Sequence, residues 1–139
     1  MDEVIKQIDG IVNWWLNLKK GYQNMDHLDE VHRKLTALNY FLADEIKDKY
    51  DGYSIAKIER RIGVSTTETH IYENQEKKNF NLASSQAKIS EKDYFIEEAQ
   101  RESDYLYLKH KVLAISKVIE SIKQRVSNLK TEIKSKPYT

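Results

Sequence analysis

Residues 1–136 contain no proline; the only one in the chain is Pro137, close to the C-terminus. Proline inside a helix removes a backbone hydrogen bond and clashes with the preceding turn, so its absence lets helices run on. Glycine is equally scarce, at positions 10, 21, 52 and 63 only. Sandwiches and barrels need many tight turns and show them as glycine and proline. A chain rich in Lys, Glu, Ile and Leu without those breaks is predicted to be all-α, a helical bundle or coiled-coil-like fold.

Apolar spacing divides the chain. Val4, Ile8, Ile11, Trp15, Leu18 and Tyr22 follow one another at intervals of three and four, with Ile5, Val12 and Leu16 alongside. Gly21, Asn24 and Asp26 read as a stop, Asp26 being placed to cap the next helix. A second row, Leu28, Val31, Leu35, Leu38, Leu42 and Ile46, ends at the turn signal Asp51-Gly52. Residues 1–50 are therefore expected to form an antiparallel helical hairpin.

The middle segment, 54–92, is polar and less periodic. Ile55, Ile58 and Ile62 suggest a short helix ended by Gly63, and Ser65–Glu68 has capping-box spacing. A competing reading takes the Thr-, Ile- and Tyr-rich residues 64–72 as a short β-hairpin arm.

The strongest pattern is a long C-terminal helix over 93–134. Tyr105, Leu108, Val112, Ile115, Ile119, Ile122, Val126, Leu129 and Ile133 are nine consecutive apolar heptad positions, a seam about 43 Å long. β-Branched residues at both heptad positions favour assemblies above dimers, so the seam is a candidate for homo-oligomer formation. The alternative is that it receives the N-terminal hairpin within one chain.

Length fits one domain, 1–139. There is no cysteine, which excludes disulfides, thiolate metal sites and cysteine nucleophiles. No apolar run is long enough for a membrane span, and the acidic start Met1-Asp2-Glu3 does not resemble a signal peptide, so a cytoplasmic protein is expected. The four glycines are too dispersed for a phosphate loop. His27, His32, His70 and His110 lack metal-ligand spacing, and no serine is framed by glycines. No cofactor, no metal and no enzymatic activity are expected.

Charge is unevenly placed. Residues 105–139 carry eight Lys and Arg, among them Lys123, Arg125 and Lys130, against Glu120 and Glu132. That net of +6, in a chain whose total is +1, leaves the remainder at −5. Such a helix is a candidate phosphate footprint, or simply a solvated face. A tighter cluster, Lys47, Lys49, Lys57, Arg60 and Arg61, lies among Tyr40, Tyr50 and Tyr53. Cations interleaved with tyrosine suit single-stranded nucleic acid, the cations neutralising phosphates while rings stack on bases. Asp44, Glu45, Asp48, Asp51 and Glu59 interrupt this cluster. In the pair Trp14-Trp15, Trp15 falls on the core row and Trp14 at its edge, either buried or an anchor for a partner.

Ser90-Glu-Lys-Asp93, the apolar helix after it, Ile119-Glu-Ser-Ile122-Lys123-Gln-Arg125 and Leu129-Lys130 resemble the UvsY-type recombination mediators of tailed phages, chiefly over residues 90–130. That resemblance implies a helical oligomer assembled through its C-terminal region. It also implies single-stranded DNA binding and the loading of a RecA-like recombinase onto strands covered by single-strand-binding protein, in a bacterial host's cytoplasm. The family's DNA-contacting pattern, K-x-R-x-x-Y-Y-x-G, has its nearest counterpart in Lys47-Asp-Lys49-Tyr50-Asp-Gly52. Here lysine stands where arginine would be, and Tyr53 follows the glycine instead of preceding it.

Three functions are thus open: a phage-type accessory protein of DNA recombination or replication, a helical structural or adaptor protein of a phage particle, and a small inhibitor of a host protein.

Overall fold

The computed structural model describes residues 1–135, with the side chain of Ser135 left aside. These residues form four helices and no strand: α1 (Asp2–Leu16), α2 (Met25–Glu73), α3 (Phe80–Ser90) and α4 (Lys92–Ser135). The all-α expectation with a long C-terminal helix holds, and residues 64–72 are helical rather than a hairpin arm.

The main departure is α2. It was expected to stop at Asp51-Gly52 and restart at Ser54, yet it runs unbroken for 49 residues through Gly52 and Gly63. An interior glycine costs about 1 kcal/mol relative to alanine, which packing against a neighbouring helix readily offsets. At Gly63 the neighbour is visible: a Cβ there would lie 2.6 Å from the Tyr94 ring. The polar stretch after α2 also resolves into structure. Lys78 Nζ donates to the last carbonyls of α2, those of Tyr72 and Glu73, at 2.9 and 2.8 Å. The side chain of Asn79 then caps α3 by accepting from the Leu82 N–H.

The chain divides into two compact units. Of the described residues, the first comprises 1–45 and those from 108 onward, the second 46–107. In the first, α1 and parts of α2 and α4 enclose an apolar core in which Ile8, Leu28, Leu35, Leu42 and Ile122 have no exposed surface. α1 ends at Leu16, earlier than its apolar row, and Gly21 (φ 91°) takes the left-handed turn that follows. Asn24, not Asp26, caps α2, its side chain accepting from the His27 N–H at 3.1 Å. Both tryptophans pack, half-buried, against the cluster of Leu28, Val126 and Leu129.

The heptad seam of α4 is largely used inside the chain. Leu108, Ile115, Ile122, Val126 and Leu129 are buried, 0–7% exposed. Tyr105, Val112 and Ile119 are half-buried, while Ile133 is 59% exposed. Of the two readings of the seam, packing within one chain accounts for the five buried residues, which are covered from within. The row read as an oligomer seam is, over these positions, an intramolecular core.

In the second unit α2 and α4 pair by heptads that are mostly polar. Tyr53 and Arg60, seven residues apart, meet Tyr105 and Glu98, seven residues back, and Thr67 meets Glu91, the residue just before α4, at the same spacing. That is an antiparallel register. α3 contributes the small residues Ala83 and Ala87, both fully buried.

Candidate nucleic-acid interface

The unbroken course of α2 sorts the charges that are mixed in the linear sequence. At 3.6 residues per turn, Lys47, Tyr50, Ser54, Lys57 and Arg61 fall at intervals of 3, 4, 3 and 4 and form one row. The row contains no carboxylate. Asp48 and Asp51 belong instead to a second row, shared with Ile55, Ile58 and Ile62, about 100° round the helix. Lys47 and Arg61 are exposed, Lys57 is half-buried and Tyr50 is 50% exposed.

Two members of the sequence-derived cluster point elsewhere. Lys49 is half-buried at a heptad position, midway between the buried Leu42 and Ala56. Arg60 forms a bidentate pair with Glu98, Nε to Oε2 at 2.5 Å and Nη2 to Oε1 at 3.2 Å. Its guanidinium also lies 5.2 Å from the centre of the Phe95 ring. The hydrogen bond from Arg60 holds the Glu98 carboxyl below its ordinary value of 4.5; burial opposes this, and the charges of Arg60, Lys57 and Arg61 reinforce it. The same bond raises Arg60. Arg60 is thus a structural cation, whereas its neighbour Arg61 is an exposed one.

Tyr50 sits at the edge of a three-ring cluster. Its ring centre is 5.3 Å from that of Tyr105 and 6.4 Å from that of Tyr53, both edge-on, and Tyr53 and Tyr105 lie parallel. Packing on one side therefore orients a ring that remains half open to solvent, as a stacking surface needs. Burial, then Glu102 and Glu98, push the Tyr53 hydroxyl upward, so it stays protonated at neutral pH.

The C-terminal candidates lie in the other unit. Lys123 and Lys130 are exposed. Arg125 is half-buried and donates to the Tyr22 carbonyl at 3.2 Å, fastening the α1–α2 loop to α4. Of the nine residues named from sequence as contacts, the structure joins Lys47, Tyr50, Lys57 and Arg61 in one row. Lys49 and Arg60 lie off that row on the same helix, and the C-terminal three belong to the other unit. Ser54 was missed, because reading Asp51-Gly52 as a stop hid the 3/4 spacing that places it there.

Among the described residues no group of three or more His, Cys, Asp or Glu is arranged to hold a metal ion. No helix there is long and apolar enough to cross a membrane. Comparison of the chain with protein-family models, curated proteins and solved structures finds no match.

Proposed function

We propose that this protein is a non-catalytic accessory factor of DNA recombination or replication that binds single strands through the outer row of α2. The observation that carries the reading is the row itself: three cations, a tyrosine and a hydroxyl over about 21 Å of helix, with no carboxylate between them. Lysine and arginine there neutralise phosphates without regard to sequence, the hydroxyl of Ser54 is a phosphate-oxygen donor, and Tyr50 offers a ring to a base. Resemblance to the phage recombination mediators supports the setting. It adds a homo-oligomer, a RecA-like recombinase and single-strand-binding protein as partners.

The test is a salt titration of binding to a labelled single-stranded oligonucleotide. Changing Lys57 or Arg61 to Ala is expected to lower the salt slope by about one unit each, equally for any base sequence. Arg60→Ala should leave the slope unchanged, because that charge is already paired. Tyr50→Ala should cost about 1–3 kcal/mol of affinity. Loss of binding on removing Lys123 and Lys130, with Lys57→Ala and Arg61→Ala silent, would move the site to α4 and overturn the reading.

A further inference from the structure

Ile55, Ile58 and Ile62 form an apolar row on α2, and they are 56%, 54% and 62% exposed. β-Branched residues of this size rarely line a solvated helix face at 3/4 spacing without a partner. The row continues at the same spacing into polar residues. Asp48 and Asp51 precede it, Ser65 and Thr69 follow it, and all four are exposed.

We propose that a second copy of this chain covers the row, antiparallel, about a two-fold axis at Ile58. Charge selects both the occupant and its direction. Parallel seating would set Asp48 against Asp48 and Asp51 against Asp51, like charges in direct contact. Antiparallel seating places Ile58 on Ile58 and Ile55 on Ile62 of the second copy. It brings Asp51 opposite Ser65 and Asp48 opposite Thr69, hydroxyl donors for each carboxylate. On the flank, Lys47 falls opposite Glu68 of the second copy and Arg61 opposite Ser54. The two-fold repeats every one of these pairs, so the patch is complementary to itself.

Antiparallel helices keep the same flank on the same side. Residues 47, 54 and 61 of both copies then border one edge of the interface; on the other edge Glu59 meets Glu59 of the second copy, one like-charge contact against the two Lys47–Glu68 attractions. The two rows assigned above to nucleic acid then lie along one edge, where Lys57 and Arg61 of both copies remain for phosphate while Lys47 is taken up by Glu68. That consequence rests on the proposed function; the interface itself does not.

The absence of cysteine makes the geometry directly testable. Under mild oxidation of the full chain, Ile58→Cys is expected to form a disulfide-linked dimer. Ile55→Cys and Ile62→Cys alone should stay unlinked, while a mixture of the two should cross-link. Self-linking of Ile55→Cys and of Ile62→Cys would show a parallel pair and overturn the proposal. Light scattering provides an independent reading. Wild type should exceed the monomer mass of 16.4 kDa at micromolar concentration, and Ile58→Asp should return it to that value with unchanged helicity. A wild-type monomer would mean that a different protein covers the row, and would overturn the proposal. An Ile58→Cys dimer with no affinity for the oligonucleotide would support the interface while overturning the proposed function.

Discussion

The two compact units are built on the same two long helices but fill their heptad positions differently. In the first, α2 contributes Leu28, Leu35 and Leu42 and α4 contributes Ile115, Ile122 and Leu129, none more than 4% exposed. In the second, the corresponding α2 positions are Lys49, Ala56 and Gly63; Tyr94 of α4 lies over Gly63, and the row beside them sets Arg60 against Glu98 and Tyr53 against Tyr105. Apolar positions supply most of the free energy of folding, roughly 25 cal/mol per Å² buried, but one leucine contacts another nearly as well in a shifted register. Polar positions supply less free energy and more register. Arg60 satisfies Glu98, and Thr67 satisfies Glu91, in one alignment of the helices only. Among the described residues the first unit carries a single buried polar side chain, Asn39, which donates to Ser116 Oγ at 3.1 Å and leaves its Oδ1 without a partner.

The contrast can be broken most directly in the apolar half. Ile122→Ala should cost about 2–5 kcal/mol, the loss of buried methyl groups plus the cavity left behind. A shift in the urea midpoint equivalent to less than about 1 kcal/mol would show that this core is not where stability resides.

In the polar half the expected effects are smaller and depend on chemistry rather than volume. Glu98→Leu should destabilise by about 1 kcal/mol, discounted for the partial exposure of both partners, by leaving Arg60 unpaired. Adding Arg60→Met should recover much of that loss, since an apolar pair replaces the ion pair without a stranded charge. Acid provides a second measurement. The folded chain holds Glu98 ionised below its ordinary 4.5, so the contribution of the pair is complete above that value. It is lost as pH falls through the lower folded value. The difference in urea midpoint between wild type and Glu98→Gln should be constant at neutral pH and shrink below about 4.5.

Smallest are the glycines. Nothing lies within 4 Å of a Cβ placed on Gly52, so Gly52→Ala should stabilise α2 by about 0.5–1 kcal/mol in thermal or urea unfolding. Gly63→Ala should gain less, because the Tyr94 ring must first move aside. Equal gains at the two sites would mean that Tyr94 does not pack as described.

Much of the fold is legible in local spacing. The rows of α1, of the first half of α2 and of the whole of α4 announce their helices, because the period of apolar side chains is set by the 3.6-residue turn. The candidate site was legible only in part. Residues 47–61 stood out by composition, but Arg60 and Arg61 are adjacent in sequence and opposite in role. Nothing local distinguishes the one that meets Glu98, 38 positions away, from the one left in solvent.

By itself, then, the sequence determined that this chain is helical, that α4 is long, and that its charge gathers into clusters. These follow from backbone geometry and side-chain periodicity, which act over a few turns. Tertiary structure decided what covers each face. It carried α2 through Gly52 and Gly63, since a turn signal is a local preference of about 1 kcal/mol and pairing with α4 outweighs it. It filled five positions of the α4 seam from within the chain and left Ile55, Ile58 and Ile62 uncovered. Periodicity shows that a helix has an apolar face; only the contacts between distant segments determine which chain buries it.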